Sequence, residues 1–129
     1  MKKGISALLL LLIIGIVNCN AQNQISKSND SYMIRHTVVF KLNHTKDSPG
    51  EKKFLTEIQK LSAIPGVKKF ELLRQISKKN NYDFGLSMEF ESNKAYESYS
   101  NHPDHNAFVQ TYWVKEVKDF MEIDYELYK

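Results

Sequence analysis

The segment Tyr99-Ser100-Asn101-His102-Pro103-Asp104-His105-Asn106-Ala107-Phe108 decides how the second half of the chain folds. The residue before a proline is pushed out of the helical conformation, and proline itself is favoured at the first position of a helix. We therefore predict that His102 closes one helical segment and that Pro103 opens the next. On the new segment His105 and Phe108 are three residues apart, so one helix face carries an imidazole beside an aromatic ring. That face is a candidate pocket wall.

Residues 1–21 differ in composition from the rest of the chain. They carry two lysines directly after Met1, continue with an apolar run from Ile5 to Val17, and end at the small residue Ala21. This order is typical of a secretory signal peptide. The apolar run is too short to span a membrane, which takes about 20 apolar residues. We predict cleavage after Ala21 and an exported protein, periplasmic or secreted.

The single cysteine, Cys19, lies beside the predicted cleavage site. It opens an alternative in which the protein is lipid-anchored through Cys19, although Asn18 stands where a smaller residue is expected. In either case the folded domain has no cysteine pair. It must be stabilised by its core and by association, without disulfides.

The charge of the chain argues against a nucleic-acid partner. Loss of residues 1–21 would remove Lys2 and Lys3 but no acid, which lowers the net charge from +3 to +1. The remaining lysines are scattered among glutamates. Such a surface lacks the basic footprint that phosphate backbones require.

The order of predicted elements defines the fold class. Residues 22–31 are polar and aperiodic and are predicted to form a flexible leader, followed by one domain over residues 32–129. Alternation of apolar residues in that domain predicts strands over 32–42, 67–76, 82–90 and 117–128. Capping and stop signals predict a first helix, between the first two strands, that starts at Pro49 and stops before Pro65. They predict a second helix, between the last two strands, that is capped by Ser92 and split at His102-Pro103. This β-α-β-β-α-β order predicts an α+β, ferredoxin-like plait with both helices on one face of an antiparallel sheet.

The other face of the predicted sheet also carries apolar side chains. Met33, Val39, Val67 and Leu73 alternate with the residues that face the helices. A domain of this size is not expected to leave a whole sheet face of this character in water. We therefore predict a homodimer in which a second copy covers that face.

Four segments together resemble the stress-responsive dimeric α/β-barrel family, Dabb. They are Ile34-Arg35-His36-Thr37-Val38-Val39-Phe40-Lys41, Ile64-Pro65-Gly66-Val67, the His-Pro-x-His motif within Tyr99 to His105, and Ile123-Asp124-Tyr125. The resemblance covers nearly all of residues 32–128. It implies a homodimer whose two sheets close face to face into a barrel.

The resemblance also implies candidate site residues, through a plant polyketide cyclase of the family that makes olivetolic acid. By that likeness His105 is a general base for an aldol ring closure and Tyr99 polarises a carbonyl. Asp124 orients the base, although its spacing from His105 differs by one residue. His36 lines the pocket, and so does Phe84, which replaces a pocket histidine of the cyclase and makes the site more apolar.

Each of these residues also has a structural interpretation. His105 could pack and hydrogen-bond locally at a helix start, His36 could be a satisfied core histidine, and Tyr99 could be an amphipathic core aromatic. Two hypotheses therefore stand: a module that binds a small apolar molecule or serves in a stress response without turnover, and a cofactor-independent enzyme with His105 as base.

The sequence also contains residue types that bind metals. A site drawn from His102, Asp104 and His105 is disfavoured, because the proline break separates their side chains. We predict no metal and no cofactor.

Overall fold

The structure is a computed structural model that describes residues 33–128. The predicted signal peptide and leader therefore fall outside the described residues. The elements are β1 (Ile34–Leu42), α1 (Pro49–Gln59), a 3₁₀ turn (Lys60–Ala63), β2 (Lys68–Arg74), β3 (Phe84–Phe90), α2 (Asn93–Ser100), α3 (Pro103–Phe108), a π-helical turn (Val109–Trp113), α4 (Val114–Glu116) and β4 (Val117–Tyr125). Within residues 33–128, no helix has the length and apolar character needed to cross a membrane.

The four strands form one antiparallel sheet in the order β2-β3-β1-β4. β1 is central, and it pairs His36 with Met88 of β3 on one side and with Asp124 of β4 on the other. The helices lie on one face of this sheet, so the ferredoxin-like plait predicted from the element order is confirmed.

The core lies between the sheet and the helices. The alternating residues of β1 and β3 that face the helices are buried, and they pack on the apolar stripe of α1, where Phe54 and Ile58 are fully buried. Phe54 sits among aromatic rings, with centroids 6.0 Å from Phe40, 5.5 Å from Phe108 and 6.3 Å from Trp113. The inward-facing side chains of the strands, which alternate with period two, therefore pack in one aromatic cluster on the apolar stripe of α1, which repeats about every 3.6 residues.

Ser48 caps the start of α1, and Glu51 completes this cap differently from the usual capping box, in which the glutamate accepts from the N–H of the capping residue. Ser48 Oγ accepts from the Glu51 backbone N–H at 3.3 Å. The Glu51 carboxylate accepts from the Asp47 N–H at 3.2 Å instead of the Ser48 N–H, which donates to the Thr45 carbonyl in the preceding turn. The turn has already used the Ser48 donor, so the carboxylate takes the next free N–H.

Replacing Ser48 with alanine removes the acceptor for a helix-terminal N–H. We expect the free energy of unfolding to fall by about 0.5–2 kcal/mol. Urea unfolding of the variant measures this change, and Ser62→Ala, at an exposed position in the 3₁₀ turn, is the control and should stay within about 0.5 kcal/mol of the wild type. Equal stability of the two variants would show that the cap contributes nothing.

Three predicted strands are shorter in the structure, and β3, which was predicted from residue 82, starts at Phe84. β2 ends at Arg74, and Ile76, the last residue of the strand predicted over 67–76, is 99% exposed. The Gln75 side-chain amide donates to the Ser77 carbonyl at 2.7 Å. This hydrogen bond lies in the segment where the chain leaves the strand. β4 likewise ends at Tyr125, so residues 126–128 extend past the ladder.

The predicted break of the second helix is confirmed, and His102 has a definite place in it. α2 ends at Ser100 with Asn101 as its C-cap, and α3 starts at Pro103. His102 Nδ1 accepts from the Asp104 backbone N–H at 3.2 Å. His102 therefore caps the start of α3, where its extended backbone is favoured before proline, instead of stabilising the end of α2.

Candidate functional site

A cavity of about 260 Å³ lies between the helix-facing side of the sheet and the helices α1 to α3. Four side chains with polar groups line it, His36, Tyr99, His105 and Glu122. The remaining lining residues are apolar or aromatic, namely Val38, Ile58, Leu61, Leu86, Phe108, Val109, Trp113 and Phe120. The cavity is thus an apolar chamber with a few convergent polar groups, which is the usual composition of a small-molecule site.

His105 reaches this cavity from the first turn of α3. Its Nδ1 lies 3.1 Å from the Ser100 carbonyl oxygen, so a proton on Nδ1 is donated to that carbonyl and Nε2 is left as the acceptor. Burial lowers the pKa of His105, while the Ser100 carbonyl acts in the opposite direction. His105 is therefore neutral at pH 7 and can accept a proton.

Tyr99 lies against His105, with ring centroids 4.6 Å apart, and its side chain is almost fully buried. The break between α2 and α3 brings these two residues together from two helical segments. Burial raises the pKa of Tyr99, and the Glu122 carboxylate raises it further. The phenol consequently stays protonated at neutral pH and can donate a hydrogen bond to an oxygen in the cavity.

A second group of polar side chains surrounds His36 on the sheet. His36 Nδ1 is 2.7 Å from Asp124 Oδ1 and 3.0 Å from the Tyr96 hydroxyl. The same hydroxyl lies 3.0 Å from Asp124 Oδ2 and 3.3 Å from Glu122 Oε1. Burial, reinforced by hydrogen bonding to Asp124, raises the pKa of Tyr96. We call His36, Tyr96, Glu122 and Asp124 the His36 cluster.

The structure places Asp124 beside His36 and not in contact with His105 as its orienting residue. The reason is strand register: β1 and β4 pair His36 directly with Asp124, so their side chains project from the same face of adjacent strands. His105, in contrast, belongs to the helical layer and takes its orientation from the Ser100 carbonyl.

Phe84 does not line the cavity. It is buried farther along the sheet, stacked on Phe40 at a centroid distance of 5.4 Å and covered by the Arg74 guanidinium at 5.6 Å. It shares a face with Leu86, which does line the cavity, but it lies two residues nearer the start of β3. The structure thus brings together His36, Tyr99 and His105 and leaves Phe84 in the aromatic core.

Sequence reasoning missed Tyr96 and Glu122. Both had a positional signal, because Tyr96 precedes Tyr99 by three residues on α2 and Glu122 precedes Asp124 by two on β4. Neither spacing by itself distinguishes a site residue from an ordinary surface residue. The register of β1 against β4 supplies that distinction for Glu122, and the packing of α2 over the sheet supplies it for Tyr96.

Comparison with known proteins agrees with this architecture. A family model described as the stress-responsive A/B barrel domain, Dabb, matches residues 34–127. The chain belongs to the Dabb family. A search of curated proteins gives no significant match to this Dabb domain.

Solved structures similar to this Dabb domain have the same fold. A Dabb-family protein from Mesorhizobium loti with a ferredoxin-like fold is 59% identical, with a TM-score of 0.72, and the match covers 73% of this chain and 95% of that one. A dimeric ferredoxin-like protein of unknown function from Thermobifida fusca is 25% identical, with a TM-score of 0.64 and coverage of 76% and 93%. A hydroxynitrile lyase from Passiflora edulis is 11% identical, with a TM-score of 0.68 and coverage of 77% and 96%, a likeness of fold alone.

Proposed function

We propose that this Dabb domain is an exported homodimer that binds a small, largely apolar molecule in the cavity between sheet and helices. The proposal rests on the apolar chamber, whose polar groups belong to His36, Tyr99, His105 and Glu122. At about 260 Å³ the chamber lies just below the range of about 300–1,000 Å³ usual for drug-sized ligands. The expected ligand is therefore compact, with an apolar body and one or two oxygens.

Filling the cavity should prevent this binding. Val109 lines the chamber, and Val109→Phe adds an aromatic ring to its wall. We expect native mass spectrometry of the purified protein, incubated with a metabolite extract from its own host, to show a retained small molecule on the wild type and at least about tenfold less on the variant.

Val114→Phe is the matched control, because Val114 lies five residues along the chain and is 65% exposed. This variant should retain the ligand like the wild type. Equal retention by all three proteins would mean that the molecule binds elsewhere and would contradict the proposal.

A second candidate function, a cofactor-independent cyclase or lyase, is favoured by the pairing of His105 with Tyr99. His105 offers an acceptor nitrogen, and Tyr99, whose hydroxyl is protonated, lies against it with the two ring centroids 4.6 Å apart. In such a reaction His105 would take a proton from an activated carbon, and Tyr99 would donate a hydrogen bond to the developing oxyanion. A solved hydroxynitrile lyase has this fold, so the fold can accommodate lyase chemistry.

Removing the base separates this candidate from simple binding. His105→Ala is expected to lower turnover of any converted substrate by about 10²–10⁴-fold while the protein stays folded. The control His102→Asn replaces the other histidine of the motif with a residue that also caps helices, so it should keep full activity. Unchanged turnover in His105→Ala would rule out this base.

The titration of His105 tests its environment without a substrate. Because burial lowers its pKa, the folded protein favours the neutral imidazole, and the NMR titration midpoint of His105 should lie below the ordinary value of about 6.5. The imidazole therefore binds a proton more readily in the unfolded chain than in the folded protein. As the pH falls from about 6.5 to the lower pKa of the folded protein, this difference reduces the free energy of unfolding. A midpoint at or above 6.5 would show that the side chain is not desolvated.

The homodimer proposal concerns the sheet face that the helices leave open. Val39 of β1 pairs with Gly85 and Met121, and Leu73 pairs with Gly85 from the other side, so one apolar strip crosses all four strands. Leu73 and Met121 are about half exposed in the single chain. An apolar strip of this kind favours association, and similar solved structures are described as dimeric.

The buried carboxylate on the same face, Glu89, already has partners, which reduces the cost of covering it. Glu89 is buried and bonded to Lys69 at 2.8 Å and to Arg35 at 2.6 Å. These hydrogen bonds, with Lys69 first and Arg35 second, lower the pKa of Glu89. A paired carboxylate can be covered by a second sheet at much lower cost than an isolated one.

Export rests on the sequence of residues 1–21. Intact-mass measurement on protein from the native host should find a chain that begins at Gln22. A chain that keeps Met1 would contradict export. A lipid adduct on Cys19 would indicate the lipid-anchored alternative.

A further inference from the structure

The His36 cluster combines the side chains that bind transition metals. An imidazole nitrogen of His36 and carboxylate oxygens of Glu122 and Asp124 all lie within 4.8 Å of one another. Within residues 33–128 this is the one group of three or more such ligands. We propose that His36, Glu122 and Asp124 bind one divalent transition-metal ion of the Zn²⁺ type. This inference is independent of the proposed function.

The backbone places these ligands without help from loops. Glu122 and Asp124 are two residues apart on β4, so both side chains project from the helix-facing side of the sheet. His36 is the direct cross-strand partner of Asp124 on β1. Ligands on paired strands of one sheet are held more precisely than ligands on loops.

The charge of the cluster is the first physical argument for a cation. The side chain of His36 is 8% exposed, whereas Glu122 and Asp124 are 48% and 41% exposed. In the described part of the chain, His36 is the only basic side chain that ion-pairs with either carboxylate. The two carboxylates carry a charge of −2 between them, which one divalent cation balances.

The spacing of the two carboxylates is the second argument. Oxygens of Glu122 and Asp124 lie within 4.8 Å of one another, and the Tyr96 hydroxyl is 3.3 Å from Glu122 Oε1 and 3.0 Å from Asp124 Oδ2. Two like charges this close repel each other, and a cation bound between them offsets that repulsion.

The distances are close to those around a bound ion. Metal–ligand bonds of about 2.0–2.2 Å place neighbouring ligand atoms about 3.0–3.5 Å apart. His36 Nδ1 lies 2.7 Å from Asp124 Oδ1 and 3.8 Å from Glu122 Oε1, so binding of an ion requires small side-chain shifts that lengthen the first distance and shorten the second. One imidazole with two carboxylates suits Zn²⁺ or Mn²⁺, whereas Ca²⁺ and Mg²⁺ prefer oxygen ligands alone.

The site also opens toward the cavity, because His36 and Glu122 belong to both. Three protein ligands leave the fourth position of a tetrahedral ion free, as in zinc sites that bind a further molecule. Tyr96 is not required as a ligand. Its hydroxyl hydrogen-bonds to the carboxylates and holds their orientation.

Zn²⁺ titration tests the proposal directly. The mature chain is treated with a chelator, desalted and titrated with Zn²⁺ by isothermal calorimetry, and Co²⁺ is added separately for its visible absorption. We expect one ion per chain and a Co²⁺ spectrum with nitrogen and oxygen ligands. Glu122→Gln and Asp124→Asn should each weaken Zn²⁺ binding by at least about tenfold, since even outer residues of metal sites contribute that much.

The control is Asp119→Asn, which removes a carboxylate from the same strand, outside the three-ligand group and on the opposite face of the sheet. It should bind Zn²⁺ like the wild type, and circular dichroism should show that all three variants are folded. Three results would each overturn the proposal: no saturable binding, unchanged affinity in both ligand variants, or equal loss in Asp119→Asn. None of them bears on ligand retention in the cavity, so the two proposals are tested separately.

Discussion

Phe54→Ala is expected to lower the free energy of unfolding by about 3–5 kcal/mol, the range for removing a large aromatic from a packed core. Phe54 is fully buried, and its ring touches those of Phe40, Phe108 and Trp113. These rings belong to β1, α3 and the π-helical turn, so the alanine variant leaves a hole where three elements meet. A loss of this size is a large part of the about 5–15 kcal/mol that stabilises a typical domain.

Chemical denaturation followed by tryptophan fluorescence measures this loss, because Trp113 lies in the same cluster. The control Leu127→Ala removes a hydrophobic side chain that is 82% exposed, and its effect should stay within about 0.5 kcal/mol. A Phe54→Ala protein destabilised by less than about 1 kcal/mol would show that the aromatic cluster contributes little to the free energy of unfolding.

The second large effect is expected on association. Val39→Asp places a carboxylate at the centre of the open sheet face, beside Gly85 and Met121. In a symmetric dimer the substitution occurs twice, so two charges are buried without partners. Like charges in an interface cost several kcal/mol, and each 1.4 kcal/mol is tenfold in affinity, so we expect the dimer dissociation constant to rise by at least about 100-fold.

Sedimentation velocity over a dilution series measures that constant. Val114→Asp is the control, because it introduces the same charge at an exposed position on α4, in the helical layer. It should sediment as the wild type does. A wild-type protein that is a stable, folded monomer at low concentration would contradict the dimer proposal before any variant is made.

Much of the fold could be predicted because its signals are local. The alternation of apolar residues in β3 fixes which side chains face the helices, and Phe84 and every second residue after it up to Phe90 are buried. Ser48 caps the helix that was predicted to start at Pro49, and Ser92 caps the second helix as predicted. Pro103 breaks the second helix where a residue before proline must leave the helical conformation. Each of these features depends on residues within a few positions of one another.

The candidate site was harder to predict because its residues come from distant parts of the chain. His36 and Asp124 are 88 residues apart and meet only through the register of β1 against β4. A shift of one residue would turn Asp124 to the opposite face of the sheet. The spacing of residues in the sequence does not determine that register. For this reason Asp124 was predicted to orient His105, and Glu122 was not predicted as a site residue.

The sequence by itself determined the plait and the split helix, since periodicity, caps and a proline act locally, whereas Tyr99 and His105 were assigned to one site through the family resemblance. The likeness to the Dabb family, visible in four short segments, is confirmed over residues 34–127. Only the tertiary structure decided that Asp124 belongs to His36, that Phe84 lies in the aromatic core, and that Tyr96 and Glu122 join the cluster. Those outcomes depend on strand register and on the packing of helices over the sheet, where many weak contacts act together across the whole domain.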